Sequence, residues 1–418
     1  MHITDVLSVP VRAGFFTDDQ AAIRAGAPSD GFLYRGSPVT PGFRSIREPG
    51  EAVSVLLVLS DGQVAHGDCA GVQYQGVGGR DGVFRAAQGV EVLQRVVAPA
   101  LIGAELGDFP SLAARLEALA DGDSPLHTAL RYGVSQALLD AVARARGVTM
   151  AEVIRDDYAT GLPIEPVPMF VQSGDDRYVT VDRMVLKEAA VLPHGLVNNV
   201  RAKVGPDGGL FVEYVTWVRD RVLALSPDPS YRPVLHFDVY GTLGAALDGD
   251  VDRVADLLAR LADIAAPFPL RVEQPLDGGS RDAHIAVSLA LREALRRRGA
   301  PVEIVVDEWC NTLEDVALFV GAGAADVVHV KTPDLGGIGN TVEALLTVTR
   351  GGLGAYCGGT CNETDRSAQV SANVAMASGA VQVLAKPGMG VDEGLMIVGN
   401  EMARVAALVA ARNRARPR

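Results

Sequence analysis

The chain contains few cysteines, no excess of positive charge and no recognisable export signal. Its four cysteines, among 418 residues, form neither paired CxxC motifs nor a dense framework, which favours a reducing cytoplasmic compartment. The formal charge of −13 argues against nucleic acid or an anionic membrane as the main partner. The first residues, MHITDVLSVPVRAG, show no basic region followed by an apolar run and a cleavage site, so we expect a soluble, unexported protein without an apolar stretch of membrane-spanning length.

Phosphate-binding motifs are also missing. The glycine-rich segment GVQYQGVGGRDG, which covers residues 71–82 and carries Gln73, does not complete a GxGxxG pattern, because Asp81 occupies the last position. No P-loop lysine and hydroxyl follow it. Two interpretations stay open for this segment, a mobile loop that covers a substrate and a plain glycine-rich turn.

The first part of the chain predicts a small α+β domain. Residues 3–16 alternate as a strand does, and Asp61-Gly62 between residues 53–59 and 63–68 is a strong hairpin signal. Helical periodicity follows near 83–100, 109–121 and 125–147. The segment GLPIEPVP, with three prolines in eight residues, is the best candidate linker. We therefore predict a capping domain over residues 1–160.

The remaining residues, 161–418, alternate strands and helices eight times. This rhythm without an antiparallel pair predicts a closed parallel (β/α)8 barrel of the TIM type, and an open doubly wound sheet is the alternative. The predicted strands are 167–172, 197–204, 234–239, 270–274, 302–307, 326–331, 353–358 and 380–384.

Three acidic residues stand at the ends of successive predicted strands. Asp238, Glu273, Asp307 and then Lys331 are separated by 35, 34 and 24 residues, each about the length of one βα unit. A closed barrel would bring all four to the C-terminal rim, where barrel enzymes collect their catalytic groups. Three converging carboxylates repel one another, so the pattern predicts a hard divalent cation bound to Asp238, Glu273 and Asp307.

Lys331 closes the apolar strand of ADVVHVKTPDLGGIGN. An ammonium is costly to bury there, and a nearby metal ion would favour the neutral amine, which makes Lys331 a candidate general base. The alternative is a lysine that extends its amine to solvent. The acidic residues upstream favour the base.

Further polar groups fall at the same predicted rim. Gln172 ends the first strand, His194 precedes the second, and Thr360 and Cys361 follow two glycines that suit an anion-binding loop. Taken singly, Gln172 fits a turn cap nearly as well, and a lone histidine such as His194 is more often a structural hydrogen-bonding residue than a catalyst.

Six segments of the sequence resemble the methylaspartate ammonia-lyase family of the enolase superfamily. They are PMFVQSGDDRY, FDVYGT, VDEWCNT, VKTPDLGG, AYCGGTCNETDRSA and KPGMGVDEG. The resemblance extends over nearly the whole chain. It implies an N-terminal capping domain, a modified TIM barrel, a homodimer, and reversible elimination of ammonia from 3-methylaspartate to mesaconate with Mg²⁺ and a monovalent cation such as K⁺.

The resemblance also implies individual roles. The metal ligands fall on Asp238, Glu273 and Asp307, the base that removes the C3 proton on Lys331, and the opposite catalytic residue on His194. Substrate contacts fall on Gln172, Thr360 and Cys361, and Gln73 matches a position near the leaving amine. The pocket wall matches Phe170, Tyr356, Leu384 and Met389.

Two positions depart from the family pattern. His329 stands where the pattern has glutamine, and Gln274 stands where it has a small residue. A neutral imidazole donates at one nitrogen and accepts at the other, so His329 would contact the substrate differently from an amide. Either Gln274 supplies the amide that position 329 lost, or the pocket suits another 3-substituent.

The residues fit one chemistry. Removal of a proton beside a carboxylate puts a second charge on that group, and a metal ion would stabilise the resulting enediolate while Lys331 takes the proton. The rivals are a lyase for a related 3-substituted aspartate, another enolase-superfamily dehydratase or cycloisomerase, and an inactive barrel with a binding role. Arg201-Ala202-Lys203 only partly matches the Lys-x-Lys pair of many such relatives.

Overall fold

The structure is a computed structural model that describes residues 1–415, and it opens with an antiparallel sheet. Three long strands pair in the order β1-β4-β5, and the turn at Asp61-Gly62 joins β4 to β5 as predicted. Two short hairpins pair β2 with β3 and β6 with β7. The strands are β1 (Ile3–Asp18), β2 (Ser29–Asp30), β3 (Leu33–Tyr34), β4 (Arg47–Leu59), β5 (Val64–Ala70), β6 (Ala120–Asp121) and β7 (Ser124–Pro125).

Six helices belong to this half of the chain, and some of them pack on the sheet. They are α1 (Gln20–Arg24), α2 (Ala86–Val92), α3 (Ala98–Leu101), α4 (Phe109–Glu117), α5 (Thr128–Arg146) and α6 (Met150–Asp157), with a π-helical turn at Leu93–Val97. The longest, α5, packs directly on β5 because glycines allow the two backbones to meet. A Cβ atom at Gly133 would lie 2.3 Å from the backbone nitrogen of Cys69. Any larger residue there would separate helix and sheet.

Eight parallel strands close into a barrel, which confirms the predicted fold. Their order around the ring is β10-β11-β12-β13-β14-β15-β8-β9. They are β8 (Met169–Gly174), β9 (Val191–Gly195), β10 (Val234–Asp238), β11 (Leu270–Glu273), β12 (Val302–Val306), β13 (Val327–Val330), β14 (Gly354–Cys357) and β15 (Gln382–Ala385).

The helices of this half surround the barrel. They are α7 (Val179–Leu186), α8 (Gly209–Leu225), α9 (Thr242–Ala246), α10 (Val251–Ala265), α11 (Arg281–Arg298), α12 (Leu313–Ala322), α13 (Ile338–Arg350), α14 (Asp365–Ser378) and α15 (Val391–Ala415), and a second π-helical turn spans Val200–Val204. Inside the ring, Phe170, Val191, Val305, Val327, Tyr356 and Leu384 form a separate apolar cluster. The barrel is therefore a packed core and not a pore.

The predicted second strand, 197–204, was wrong. The strand is Val191–Gly195, so His194 lies within it, and Val200–Val204 forms the π-helical turn. All five residues of the true strand are buried, whereas Arg201 and Ala202 are exposed. A strand of a parallel barrel is covered on both faces, which the later segment cannot satisfy.

A large apolar cluster joins the two halves of the chain. It contains Leu130 and Leu138 of α5 together with Leu345 of α13 and Val374 of α14. Ion pairs reinforce the junction, for example Arg366 with Asp140 at 3.0 Å. The capping helices and this side of the barrel therefore share one core.

The last helix corrects a further expectation. Residues 391–414 of α15 are long and apolar enough, by length and composition alone, to cross a membrane, although the sequence predicted no such stretch. The helix has a buried stripe at helical spacing, formed by Val398, Met402, Val405 and Val409, which packs into the shared core. The opposite side includes exposed Met396 and Leu408.

Candidate active site

Three carboxylates meet at the C-terminal rim of the barrel. Asp238 ends β10 and lies in register with Glu273, which ends β11, and Asp307 follows β12 directly. None is more than 2% exposed. Oε2 of Glu273 and Oδ1 of Asp307 make no hydrogen bond within residues 1–415. Buried unpaired carboxylate oxygens are what a hard cation needs, so these residues fit a bound divalent metal ion.

Asp238 stands slightly apart from the other two. The donor atoms that lie within 4.8 Å of one another belong to Glu273, Asp307 and His329. Burial, and then the charge of Glu273, raise the pKa of Asp238 well above its ordinary value. Repulsion of this kind is relieved by a cation between the carboxylates, which is the reasoning that predicted the metal site.

His329 occupies the space between the acidic residues. Its Nδ1 lies 2.7 Å from Oε1 of Glu273 and 3.6 Å from Oδ1 of Asp307. The backbone N–H of Gly359 donates to Nε2 at 3.2 Å, so Nε2 is an acceptor and Nδ1 carries the hydrogen that faces Glu273. Both nitrogens thus have protein partners, and the predicted substrate contact by His329 has no free hydrogen-bonding atom.

Burial and the neighbouring imidazoles shift the pKa of Glu273 in opposite directions. Burial raises its pKa, but the neighbouring rings of His329 and His236 outweigh burial and hold the pKa well below its ordinary value. Nε2 of His236 lies 3.0 Å from Oε2 of Glu273, without the alignment of a hydrogen bond. Glu273 is therefore held as a carboxylate, the form that binds metal.

Lys331 follows β13 and reaches the same rim. Its Nζ donates to Oδ2 of Asp307 at 2.5 Å, and its side chain is 15% exposed. Burial alone would lower the pKa of Lys331, but the charges of the neighbouring carboxylates, that of Asp307 first, together outweigh burial and raise it. To act as a general base, a lysine must be a neutral amine. Lys331 can therefore act as a base only when a cation offsets the charge of Asp307.

His194 faces Lys331 across the barrel. Its strand, β9, and β13 are four steps apart in the ring of eight, which is as far apart as two strands can be. Nε2 of His194 lies 3.8 Å from Oδ2 of Asp238, and the ring packs against Phe170. Burial lowers the pKa of His194 to about 4, so the ring is neutral at pH 7.

The loop after β14 supplies the predicted anion-binding groups. Oγ1 of Thr360 accepts from the backbone N–H of Gln73 at 3.1 Å, and Sγ of Cys361 donates to Oε1 of Gln73 at 3.4 Å. Nε2 of Gln172 donates to the backbone oxygens of Ala385 and Gly388. These bonds join the capping domain to the rim and fix the predicted substrate-binding residues.

One cavity brings most of the predicted site residues together. Its lining includes Gln73, Gln172, His194, Asp238, Asp307, His329, Lys331, Thr360, Cys361, Leu384 and Met389. Glu273 lies fully buried behind the lining. Within residues 1–415, the predicted wall residues Phe170 and Tyr356 do not reach the cavity surface, and they pack beneath it in the barrel interior.

Gln274 does not reach this cavity either. It is 1% exposed with φ of 51°, a backbone conformation that non-glycine residues rarely adopt. Its Oε1 accepts from the backbone N–H of Asp307 at 3.4 Å. Gln274 is not one of the described residues that line the cavity. The hypothesis that its amide replaces a substrate-binding amide therefore lacks support.

Four polar residues that line the cavity were not among the predicted site residues, namely Tyr74, Arg80, Tyr240 and Glu308. Tyr74 and Arg80 come from the glycine-rich segment 71–82, Tyr240 lies two residues after Asp238, and Glu308 directly follows Asp307. The position beside a predicted ligand was a usable signal for Tyr240 and Glu308. For Tyr74 and Arg80 the only signal was the open interpretation of segment 71–82 as a loop that covers a substrate, which singled out neither residue.

Comparison with known proteins agrees with this arrangement. Family models described as methylaspartate ammonia-lyase N-terminus and C-terminus match residues 1–159 and 161–411. The methylaspartate ammonia-lyase of Clostridium tetanomorphum is 55% identical over 412 residues, which are 99% of this chain and 100% of that protein. A crystal structure of the beta-methylaspartase of that organism, described as a Mg-complex, has a TM-score of 0.95.

Two further solved structures extend the comparison. The Citrobacter amalonaticus methylaspartate ammonia-lyase containing (2S,3S)-3-methylaspartic acid is 48% identical, with a TM-score of 0.96 over 98% of this chain and 100% of that chain. The L-Ala-D/L-Glu epimerase of Bacillus subtilis is 15% identical and shares the fold alone, with a TM-score of 0.64 over 95% and 91% of the two chains. The chain belongs to the methylaspartate ammonia-lyase family.

Proposed function

We propose that this chain is a carbon–nitrogen lyase that reversibly eliminates ammonia from 3-methylaspartate to give mesaconate. The main observation behind the proposal is the position of Lys331. Its amine contacts Asp307, and it lines the same cavity as His194 and Asp238. The family match over both halves of the chain supports it. The solved Citrobacter relative, whose crystal contains (2S,3S)-3-methylaspartic acid, supports the same substrate.

In the proposed reaction Lys331 takes the proton from C3. The electron pair of the C3–H bond forms the C2=C3 double bond, and the C2–N bond breaks with its pair on nitrogen, which leaves as ammonia. His194 acts from the opposite side of the cavity and is neutral, so it can accept a proton from the other C3 epimer. General-base catalysis of this kind contributes about 10²–10⁴-fold to the rate.

The remaining residues bind and orient the substrate. The hydroxyl of Thr360 and the backbone N–H of Cys361 hold the carboxylate beside the amine, and Gln73 lies near the leaving amine. Gln172 gives both amide hydrogens to backbone oxygens, so it offers the substrate only its acceptor oxygen, which suits the amine. Leu384 and Met389 contact the apolar part of the substrate from the cavity wall. These contacts fix C3 relative to Lys331, and good positioning accounts for a large part of an enzyme's rate.

Asp238, Glu273 and Asp307 are the residues that would hold Mg²⁺. The ion supplies charge neutralisation for the carboxylate beside C3. The unpaired oxygens of Glu273 and Asp307 and the Mg-complex of the Clostridium relative support this assignment. A monovalent cation such as K⁺, which the family resemblance implies, is part of the same proposal.

A direct assay tests the reaction. Purified protein is mixed with 3-methylaspartate, Mg²⁺ and K⁺, and mesaconate is followed by its ultraviolet absorbance. We expect absorbance to rise with the wild type, and the rate to fall about 10²–10⁴-fold with Lys331→Ala. A wild type that binds Mg²⁺ but converts neither 3-methylaspartate nor aspartate would contradict the proposal and favour another superfamily reaction or an inactive barrel.

A lyase for a related 3-substituted aspartate is the second candidate, because His329 departs from the family pattern. His329 hydrogen-bonds to Glu273 and Gly359, so the cavity wall at this position differs from the wall that a glutamine would form. The relative rates on 3-methylaspartate and on aspartates with larger 3-substituents are compared for the wild type, His329→Gln and Gln274→Gly. Unchanged selectivity in both variants would discard this candidate.

We also propose that the protein is a homodimer in the cytoplasm with no nucleic-acid or membrane partner. The family resemblance supports the dimer, and the charge of −13 argues against nucleic acid. The four cysteines are free and buried, as expected in a reducing compartment. Light scattering of the purified protein tests the dimer.

A further inference from the structure

Arg80 places a positive charge in the cavity wall that the proposed reaction does not use. It belongs to the glycine-rich segment 71–82 of the capping half, where Gly78 and Gly79 are exposed. Its own side chain is only 5% exposed. It lines the same cavity as Lys331, Asp307 and Glu308. An arginine that reaches inward from an exposed loop needs a reason to be buried.

One side of the guanidinium is anchored to the barrel. Nε of Arg80 donates to Oδ2 of Asp334 at 2.8 Å, and the Asp334 side chain is 4% exposed. The backbone N–H of Asp334 in turn donates to the oxygen of Lys331 at 3.0 Å. Because the guanidinium is planar, this anchor sets the direction of its other N–H groups relative to the turn that carries Lys331.

The other side has no partner. Nη2 of Arg80 is buried and makes no hydrogen bond within residues 1–415. Burial lowers the pKa of Arg80, but the charges of Asp334, Asp307 and Glu308 together outweigh burial and raise it. Among the described ion pairs, however, Arg80 contacts only Asp334. Nη2 is therefore a buried, charged donor without a described protein partner, on a residue that lines the same cavity as Lys331, and its natural partner is an anion that enters the cavity.

We propose that Arg80 is a further substrate-binding residue, whose Nη2 donates to the carboxylate beside C3 of the amino diacid. This inference rests on the proposed function. Thr360 and Cys361 are assigned to the carboxylate beside the amine. The carboxylate beside C3 is assigned to the proposed Mg²⁺ alone, so it is the one that still lacks a hydrogen-bond donor from the protein. Lys331 removes the proton from the carbon next to it, and Arg80 is anchored to the turn after Lys331.

The test compares four proteins at saturating Mg²⁺, namely wild type, Arg80→Met, Arg80→Lys and Arg85→Met. Arg85 is the matched control, because it forms partly buried ion pairs with Glu48 and Glu51 in the same half of the chain but does not line the cavity among the described residues. Calorimetry measures the dissociation constant of mesaconate, and the absorbance assay measures KM and kcat for 3-methylaspartate. Mg²⁺ binding without substrate is measured for each variant.

We expect Arg80→Met to raise KM and the mesaconate dissociation constant about 10- to 100-fold, as the loss of a charge-assisted hydrogen bond does. Arg80→Lys retains a positive charge and recovers part of this loss. Arg85→Met lowers the melting temperature but leaves both constants within about twofold, and Mg²⁺ binding is unchanged in all the variants. If Arg80→Met does not fold, Arg80→Lys is decisive, with a smaller expected loss of about 3- to 10-fold.

Two results would overturn the inference. One is an active wild type whose mesaconate affinity is unchanged by the replacement of Arg80. The other is a loss that Arg85→Met reproduces, since that would reflect stability alone. A wild type that does not convert 3-methylaspartate overturns the proposed function instead, so the two failures are distinguishable.

Discussion

At the scale of single residues, His329 contacts the predicted metal site through the ligand Glu273. Its Nδ1–H donates to Glu273, and its ring stacks on Tyr356 with centroids 4.2 Å apart. The ring fits only because position 358 is glycine, since a Cβ atom there would lie 1.8 Å from Nε2. We infer that His329 orients a metal ligand and does not bind substrate.

This role predicts the effect of His329→Ala on metal binding. Without the imidazole, Oε1 of buried Glu273 loses its donor and the carboxylate is free to turn. We expect the Mg²⁺ dissociation constant, measured by calorimetry, to rise about 10- to 100-fold. His284→Ala, which removes a buried histidine of α11, serves as the control and leaves Mg²⁺ affinity unchanged. Equal affinity in His329→Ala and wild type would contradict the role.

His127 makes a second prediction, on pH. It is the N-cap of α5, where Nδ1 accepts from the N–H of Ala129 at 3.0 Å, and Nε2 lies 2.9 Å from the oxygen of Gly82. Burial lowers the pKa of His127; the Gly82 bond and Asp81 oppose this, while Arg131 adds to it. The unfolded chain therefore binds this proton more readily. The cap therefore contributes its full stabilisation of the folded state above a pH of about 6.5, and this contribution is lost as the pH falls below that value.

The comparison is between wild type and His127→Asn, whose amide caps a helix without titrating. Between pH 7.5 and pH 5.5 we expect the melting temperature of the wild type to fall further than that of the variant. The difference corresponds to the loss of one N-cap, about 0.5–2 kcal/mol. Parallel curves for the two proteins would refute the assignment.

At the scale of elements, a buried ion pair connects three rim loops with the capping helix. Lys386, which follows β15, donates to Oε1 of Glu363 at 2.8 Å and to Oγ1 of Thr332 at 3.0 Å. Tyr132 of α5 donates to Oε2 of Glu363 at 2.6 Å. The backbone N–H of Thr360 donates to Oε1 of Glu363 at 3.1 Å. The network thus holds the anion-binding loop in place beside the residue that follows Lys331.

Breaking this pair has a predictable cost. Lys386→Met leaves Glu363 buried without a cation, and we expect the free energy of unfolding in urea to fall by about 3–5 kcal/mol. The double variant Lys386→Met with Glu363→Gln removes the uncompensated charge and recovers part of the loss. A change below about 1 kcal/mol in Lys386→Met would contradict this account.

Single elements also show where sequence reasoning succeeds. Seven of the eight barrel strands fall at the predicted positions, because a buried apolar run between helices is a local pattern. The second strand was misplaced because Val191–Gly195 contains Pro193, which weakens a strand signal, while the later segment is also rich in valine. Only closure of the ring selects between them, since the strand must pair with both β8 and β10.

At the scale of the whole molecule, the division at residues 160 and 161 stays a prediction about domains. The shared core predicts that the halves do not fold independently. We expect residues 161–418, produced alone, to bind a hydrophobic dye and to lack a cooperative thermal transition, because α13 and α14 lose their contacts with α5. The full chain is the control. A sharp calorimetric transition for the isolated fragment would show that its core is sufficient.

The sequence by itself determined the order of the elements, the barrel and the rim positions of Asp238, Glu273, Asp307 and Lys331, because strand ends and their spacing are local properties. Only the tertiary structure decided which groups contact these residues. Arg80 reaches Asp334 across 254 positions of the chain, and Tyr132 reaches Glu363 across 231. Contacts between segments so far apart depend on how the capping half packs on the barrel, and no local pattern in either segment encodes that.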